Sequence, residues 1–179
     1  IVGFKIRRVA DKHFYSTGVT KDVDLFGYQQ AQDSGGKTLF ITEGEIDCMS
    51  VYQALKEEAK GGKWEKLEPA VVSINNGAAG AAKELAQHQG FLERFENIVL
   101  VFDHDEAGQK AVQSCASVLP AGKVKVATLS EKDPNEMLKK GKRTQLRNAV
   151  MFNAGEYKPD GIKSIRDLKE DMLREVTWG

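Results

Sequence analysis

Cysteine is scarce in this chain of 179 residues, since Cys48 and Cys115 are the only two. Two thiols cannot build a disulfide framework or a four-cysteine zinc site, which favours a reducing, intracellular compartment. Long hydrophobic runs are also lacking, because no stretch approaches the roughly 18 apolar residues that span a bilayer. The opening residues, 1–5, do not resemble a signal peptide. The sequence therefore argues against a secreted, disulfide-stapled domain and predicts no membrane partner.

An excess of charge of either sign is absent too, because 26 basic residues balance 26 acidic ones. This balance disfavours a protein that holds nucleic acid by bulk charge alone, so any such binding must be local. Two basic stretches could supply it: Lys5, Arg7, Arg8, Lys12 and Lys21 near the N-terminus, and Lys139, Lys140, Lys142, Arg143 and Arg147 further on. Each stretch is equally compatible with an ordinary solvated charged face.

The order of apolar patterns predicts the fold class. Length and a hydrophobic content of 41% suit one compact domain. Strand-like apolar runs at residues 38–42, 70–74, 97–102 and 123–129 alternate with helical patterns at 46–58, 81–95 and 106–119. This alternation predicts an α/β fold with a mostly parallel central sheet flanked by helices. Residues 2–17 predict two short strands and a polar turn, hence a small N-terminal β-hairpin subdomain.

The C-terminal part is helical in pattern at 135–140 and 144–152, then has a polar break at 155–161 and a final amphipathic segment. That segment is either a linker toward another domain or an ordinary helix packed on the core. We divide the chain into an N-terminal β-rich subdomain (1–34), an α/β core (35–140) and a C-terminal helical segment (141–179). A first residue other than Met indicates a piece of a longer protein.

Carboxylates follow the predicted strands, where an α/β sheet places its chemistry. Glu43 follows the first strand, Asp103 and Asp105 follow the third, and Asp133 follows the fourth. Close carboxylates repel one another unless a cation compensates, and oxygen ligands without cysteine favour Mg²⁺ or Mn²⁺ over zinc. Two such ions about 3.5–4 Å apart suit nucleotidyl transfer, by activating a 3′-hydroxyl and stabilising leaving pyrophosphate. Asp105 equally suits a helix N-cap.

A glycine- and alanine-rich loop at residues 76–80 separates the second predicted strand from the helix that follows. Its backbone N–H groups are candidates to cradle a phosphate, although such a loop is equally an ordinary tight turn. Gly77 is the glycine that opens this stretch.

Two short motifs carry a resemblance to a known family. Residues 42–47, Thr-Glu-Gly-Glu-Ile-Asp, and residues 101–108, Val-Phe-Asp-His-Asp-Glu-Ala-Gly, resemble the Glu and Asp-x-Asp signature of the TOPRIM domain. Primases, type IA and type II topoisomerases and some nucleases share that domain. Either motif alone is a weak signal, but both follow an apolar strand and precede a helix. The resemblance implies a TOPRIM fold.

More specifically, the chain resembles the primase RNA-polymerase domain of the bifunctional primase-helicases of tailed phages, which are related to the mitochondrial replicative DNA helicase. The likeness covers nearly the whole chain and includes residues 4–7, 11–14, 77–83, 105–112, 119–124 and 132–136. By this resemblance Glu43, Asp103, Asp105 and Asp133 match the metal-site positions, and the first three are the catalytic set. Lys5 and Lys12 match lysines implicated in nucleotide or template handling. With Arg7, Gly77 and Lys83 they form the predicted nucleotide- and DNA-binding set.

The resemblance implies a DNA primase, a nucleotidyltransferase that uses Mg²⁺ or Mn²⁺ to join ribonucleotides on a template. The implied partners are single-stranded DNA, ribonucleoside triphosphates, the zinc-binding and helicase domains of a full-length protein, and a replicative DNA polymerase. The location that the resemblance implies for the protein is the host cytoplasm if the chain is phage-encoded, or else an organelle matrix. The mitochondrial relatives have lost parts of the acidic set, which is intact here, so catalysis is expected.

Three alternatives stay open. A topoisomerase domain needs a nucleophilic tyrosine, and none of the four tyrosines, Tyr15, Tyr28, Tyr52 and Tyr157, has a suitable context. A TOPRIM nuclease would cleave DNA with the same metals, and a decayed, non-catalytic TOPRIM module would only support a helicase. The one departure from the phage pattern is a longer stretch around residues 57–68, which predicts an enlarged surface loop.

Overall fold

A computed structural model describes residues 3–11, 13–19 and 22–158 of the chain. The strands are β1 (Gly3–Arg7), β2 (Phe14–Gly18), β3 (Thr38–Thr42), β4 (Ala70–Ser73), β5 (Asn97–Val101), β6 (Val124–Val126) and β7 (Gly155–Glu156). The helices are α1 (Tyr28–Asp33), α2 (Glu45–Ala59), α3 (Ala81–Ala86), α4 (Gln89–Leu92), α5 (Glu106–Ala116), α6 (Pro134–Lys139) and α7 (Arg143–Met151). A 3₁₀ turn, Ala78–Gly80, leads into α3.

Two sheets organise these elements. Strands β1 and β2 form a separate antiparallel hairpin, whose residues are almost all exposed. The other five strands form one sheet in the order β4-β3-β5-β6-β7, in which the first four are parallel and β7 is antiparallel. The predicted α/β architecture, a mostly parallel sheet with an N-terminal hairpin, is thereby confirmed. Because the four strands run in one direction, their carboxyl ends meet at one edge.

Helices cover both faces of the central sheet, which is why β3, β4 and β5 are apolar along nearly their whole length. Alternate residues of each strand point to opposite faces, so two cores form. One core joins Ile41, Val72 and Leu100 to α1, α3, α4 and α5. The other joins Phe40, Val71 and Val99 to α2, α6 and α7. The sheet is thus a rigid platform for whatever lies at its edges.

The structure differs from prediction at three elements. The helix predicted over 81–95 is two short helices, because the backbone leaves helical geometry at His88, where φ is −113° and ψ is 26°. Phe91 and Leu92 of the second helix are buried in the core. Helix α1 was not predicted, since Ala31 is its only buried residue and it has no apolar stripe. Strand β7 lies where a polar break was predicted, and two residues are too few for a periodic signal.

The segment before β3 packs on the central sheet. Leu25 and Ala31 are buried in the first core, and Phe26 forms an antiparallel bridge with Ser73 of the edge strand β4. Gly27 has φ +83°, and a Cβ there would lie 2.6 Å from the Val71 carbonyl oxygen, so only glycine allows this close approach. The division at residues 34 and 140 stays a prediction.

Two predictions concern positions that are not described. Lys12 and the amphipathic segment beyond residue 158 both lie outside the described residues. Among the helices that the structure does describe, none is long and apolar enough to cross a membrane.

Candidate active site

The candidate site begins with the register of two neighbouring strands. Thr42, the last residue of β3, pairs with Val101, the last residue of β5. Glu43 and Asp103 therefore leave the sheet one and two residues beyond a shared pair, at the same edge. The chain after β6, which lies next to β5, returns to this edge through Asp133 at the start of α6. Chain positions 60 and 90 residues apart are thus brought together, as the strand pattern predicts.

Glu43 is half-buried, and its carboxylate has a raised pKa. Burial raises its pKa, and the negative charges of Asp103 and Asp105 raise it further, while the backbone N–H groups of Ala78 and Asp103 act in the opposite direction. Its Oε2 is buried and has no hydrogen-bond partner among the described residues. A buried acceptor oxygen without a donor is costly, and a bound cation would remove that cost.

Asp103 is the second half-buried carboxylate at this edge. Its pKa is raised mainly by burial and also by the charges of Asp133 and Asp105, while Lys132 opposes the rise. Lys132 Nζ lies 3.6 Å from Asp103 Oδ2 and is largely exposed. The His104 N–H donates to the Lys132 carbonyl at 3.1 Å. The loop after β5 is therefore fastened to the loop before α6, and Lys132 supplies the only cation that touches Asp103 in the described residues.

Asp105 and Asp133 both act as helix N-caps. Asp105 Oδ1 accepts from Gly108 N–H at 2.9 Å, and Asp133 Oδ1 accepts from Glu136 N–H at 2.7 Å. The N-cap interpretation of Asp105 is therefore confirmed. A cap of this kind uses one oxygen, so the second remains compatible with a metal. A Cβ at Gly108 would lie 2.1 Å from the Asp103 carbonyl oxygen, which explains the glycine in the motif.

Asp47 is a site residue that sequence analysis missed. It lies in the first turn of α2, and its Oδ1 accepts from Asn135 N–H at 3.3 Å. Burial raises its pKa to about 7, and the charges of Asp133, Asp103 and Glu43 add to the shift. The signal was present, since Asp47 lies in the first turn of the helix that begins two residues after Glu43. A fifth carboxylate thus belongs to the acidic cluster of Glu43, Asp47, Asp103, Asp105 and Asp133.

Asp47 should make the metal-free protein less stable at alkaline pH. Its folded-state pKa of about 7 lies above the ordinary 3.8. The native state therefore binds more protons than the unfolded state between these values, and stability falls as pH rises through this window. In chelator-containing buffer, we expect Asp47→Asn to raise the free energy of unfolding at pH 8 by up to about 4 kcal/mol, with little change near pH 4. Urea unfolding at both pH values measures this, and equal stabilities at pH 8 would contradict it.

The acidic cluster is not a ready-made cage. No three histidine, cysteine or acidic side chains in the described part of the chain are arranged to hold a metal ion. Burial and neighbouring carboxylates nevertheless raise the pKa values of Glu43 and Asp103, and Glu43 keeps an oxygen without a donor among the described residues. A set of hard oxygen donors with too few protein cations nearby fits Mg²⁺ or Mn²⁺. Small side-chain rotations would be needed for several donors to share one ion.

The hairpin brings its basic residues over this edge. Lys5 Nζ donates to Glu45 Oε1 at 2.6 Å and to the Asn75 carbonyl at 3.3 Å. The register places Lys5 and Arg7 on the same face as Phe14, and both cationic groups lie 5.5 Å from the Phe14 ring centroid. Two of the predicted binding residues thus form one basic, aromatic face beside the carboxylates.

Gly77 and Lys83, two of the predicted binding residues, differ in how close they lie to the acidic cluster. Gly77 has φ +67°, and nothing lies within 4 Å of the point where a Cβ would stand. The next residue, Ala78, directs its N–H toward the Glu43 carboxylate, so the loop borders the cluster. Lys83 is an exposed residue of α3 and forms no ion pair among the described residues. No contact ties Lys83 to the carboxylates.

The second basic stretch is largely neutralised. Lys140 and Lys142 both pair with Glu131, Arg143 pairs with Glu57 and Glu58, and Arg147 reaches Glu58 at 3.5 Å. The pairs of Arg143 and Arg147 fasten α7 to the end of α2. The stretch therefore offers less free positive charge than its sequence suggests.

The described residues form surface clefts, two of which differ greatly in size. The smaller, of about 170 Å³, lies between α5 and β6 and is bordered by Asp103, His104, Gln109 and Leu129. The larger, of about 750 Å³, lies between α1, α2 and β4 and is lined by Phe26, Tyr28, Met49 and Tyr52. Only the smaller cleft touches the acidic cluster, so size does not identify the site.

Comparisons with known protein families agree with this geometry. Residues 40–138 match a family described as Toprim-like. The DNA helicase/primase of Enterobacteria phage T3 is 39% identical over 99% of this chain, and the chain spans 29% of the length of that relative. The DNA primase of Campylobacter jejuni is 30% identical over 64% of this chain, which covers 17% of its length. The chain is thus much shorter than the relatives that it matches.

Solved structures give the same result. The primase fragment of the bacteriophage T7 primase-helicase has a TM-score of 0.71 at 41% identity, over 84% of this chain and 57% of that one. A primase domain from a complex of the T7 lagging-strand DNA polymerase, two gp4 subunits, an RNA/DNA hybrid and dTTP has a TM-score of 0.72 at 41% identity, over 86% of this chain and 71% of that one. The Aquifex aeolicus primase, at 21% identity and a TM-score of 0.61, shares the fold.

Proposed function

The chain belongs to the Toprim-like family, and from this membership we propose that it is the catalytic domain of a DNA primase. It would be a nucleotidyltransferase that joins ribonucleoside triphosphates into short RNA primers on a single-stranded DNA template. The observation that carries the proposal is the acidic cluster, in which Glu43 and Asp103 leave neighbouring strands at one edge and the charge of Asp103 helps to raise the pKa of Glu43. Similarity to a phage helicase/primase along 99% of the chain supports it.

Glu43, Asp103, Asp105 and Asp133 would hold Mg²⁺ or Mn²⁺, with Asp47 beside them. The fit rests on the donor set and on Glu43 Oε2, a buried oxygen without a hydrogen-bond partner in the described residues. A divalent cation supplies positive charge near the attacking 3′-hydroxyl and the leaving pyrophosphate. The caps on Asp105 and Asp133 would hold these two side chains in place.

Glu43 has a second role available to it. Its raised pKa makes the carboxylate a better proton acceptor than an ordinary glutamate. Beside the attacking 3′-hydroxyl, it would either accept the proton or act as a ligand of the cation. The Ala78 and Asp103 N–H groups fix the direction of the carboxylate in both cases.

The basic face of the hairpin would bind phosphates. Lys5 acts as a point charge and Arg7 as a planar fork, while the half-exposed Phe14 ring offers a surface on which a base stacks. Lys12, Gly77 and Lys83 complete the proposed nucleotide- and template-binding set. Of these, Gly77 has the most direct support, because its loop borders Glu43.

The remaining proposed partners lie outside this chain. Relatives carry the names helicase/primase and DNA primase, and this chain spans only 29% of the first. Zinc-binding and helicase domains of the full-length protein, and a replicative DNA polymerase, are proposed partners. The proposed place of action is the cytoplasm of a phage-infected host.

Primer synthesis is the direct test. With single-stranded DNA, four ribonucleoside triphosphates and Mg²⁺, we expect short RNA products on a sequencing gel, and none when EDTA replaces Mg²⁺. For residues 1–179 assayed alone, whose two cysteines cannot form a four-cysteine zinc site, the yield should be low and nearly independent of template sequence. Shortened DNA in place of RNA would identify a nuclease. Relaxed supercoiled plasmid would identify a topoisomerase, and neither product would indicate a module without catalysis.

A further inference from the structure

Glu84 is a buried carboxylate that the sequence did not single out. Glu84 is only 5% exposed and lies on the short helix α3, beside the loop that borders Glu43. Burying a carboxylate is costly unless hydrogen bonds to it compensate. A glutamate in such a position therefore needs an explanation from its partners.

All of its partners are donors, and all come from Asn75 and Asn76. Oε1 accepts from Asn75 N–H at 2.9 Å and from Asn75 Nδ2 at 2.6 Å. Oε2 accepts from Asn75 N–H at 3.1 Å, from Asn76 N–H at 3.3 Å and from Asn76 Nδ2 at 3.1 Å. Two successive residues are thus held by backbone and side chain alike, which fixes the turn that follows β4.

The turn that Glu84 holds reaches two proposed functional groups. The Asn75 carbonyl accepts from Lys5 Nζ at 3.3 Å, and Asn75 Nδ2 also donates to the Asp24 carbonyl at 3.0 Å. Three residues after Asn75, the Ala78 N–H faces the Glu43 carboxylate. One buried side chain therefore connects the hairpin, the segment before α1 and the acidic cluster.

We propose that Glu84 is a positioning residue for nucleotidyl transfer. It acts through the turn of residues 75–78, which sets the place of Lys5 on one side and the direction of Glu43 on the other. The proposal rests on the primase function proposed above. A carboxylate is required because every group that faces it is a donor, whereas an amide would turn its own NH₂ toward at least one of them.

Glu84→Gln tests this requirement with almost no change in volume. We expect RNA synthesis to fall about 10- to 100-fold, because small displacements of positioned groups have effects of this size. The loss should be shared between the rate and the KM for ribonucleotide. Glu93→Gln, the same change at an exposed position, is the matched control and should leave synthesis unchanged. Adding Asn76→Asp to Glu84→Gln restores a donor–acceptor pair and should recover most of the lost activity.

Coupling to Lys5 separates positioning from a general structural effect. If Glu84 acts through the Asn75 carbonyl, Lys5→Ala combined with Glu84→Gln should reduce synthesis less than the product of the two single effects. Independent, multiplicative effects would overturn the proposal. Asn76→Ala removes one donor at an exposed position, so it tests the clamp even if Glu84→Gln does not fold. Unchanged synthesis in that variant would also overturn it.

Amide hydrogen exchange gives a readout that does not depend on catalysis. In Glu84→Gln, the Asn75 and Asn76 amides should exchange at least about tenfold faster, since a hydrogen bond to a charged group is worth about that factor. The Ala78 amide should follow them, because it lies on the turn that these two bonds hold. The amides of β5 should be unaffected. Should the wild-type chain make no RNA, the primase proposal fails, while exchange still decides whether Glu84 orders the turn. Unchanged exchange at all three amides would refute the inference.

Discussion

Glu43→Gln should reduce RNA primer synthesis by about 10²–10⁴-fold, the range typical for the loss of a group that moves a proton at the reacting atoms. The substitution keeps the shape of the side chain but removes its negative charge and half of its acceptor capacity. Both of the roles proposed for Glu43, metal ligand and proton acceptor, depend on that charge. Single-turnover incorporation of labelled ribonucleotide on single-stranded DNA measures the effect.

The folding stability of Glu43→Gln should not fall with its activity and should instead stay the same or rise. In the metal-free protein, burial and two neighbouring carboxylates disfavour the ionised Glu43, so a neutral amide relieves repulsion. We therefore expect the melting temperature of Glu43→Gln to equal or exceed that of the wild type at pH 8. A large loss of activity together with a higher melting temperature is the signature of a functional residue. Full synthesis by this variant would remove Glu43 from the mechanism.

Asp105 has two roles, and two substitutions separate them. Asparagine caps a helix about as well as aspartate, so Asp105→Asn keeps the bond to Gly108 N–H and loses only the charge. Alanine loses both. We expect primer synthesis to fall on the order of 10²-fold or more in each variant, because the charge serves the cation. Only Asp105→Ala should also lose about 1 kcal/mol of folding stability.

Urea unfolding and primer synthesis, measured on the same preparations, give the two readouts. If Asp105→Asn keeps wild-type synthesis, then Asp105 is a cap and nothing more. If both variants lose stability equally, the hydrogen bond to Gly108 does not carry the cap energy. Asp133 has the same arrangement with Glu136 and provides an independent repeat of the comparison.

The sheet and the main carboxylates were predictable because their signals are local. Continuous apolar runs mark β3 and β5, and a residue directly after such a run lies at the sheet edge. Glu43 and Asp103 follow from this alone. The cap of Asp105 was readable for the same reason, since its partner is three residues away.

What could not be predicted depends on distant partners. Burial is the main cause of the raised pKa of Asp47, and the charge of Asp133, 86 positions later in the chain, adds to it. Arg143 and Glu57 are likewise 86 positions apart, so the loss of free charge in the second basic stretch was hidden. Glu84 reads as an ordinary helical glutamate, because burial of a side chain is a property of the packed molecule.

The central claim is that carboxylates from separate strands bind divalent cations at one edge of the sheet. A crystal of the protein soaked in Mn²⁺, with data recorded at the manganese absorption edge, tests it most directly. We predict an anomalous peak within about 2.0–2.5 Å of carboxylate oxygens from Glu43 and from Asp103 or Asp105. Absence of manganese from this edge at millimolar Mn²⁺, with Glu43 turned away from both aspartates in the crystal, would contradict the account.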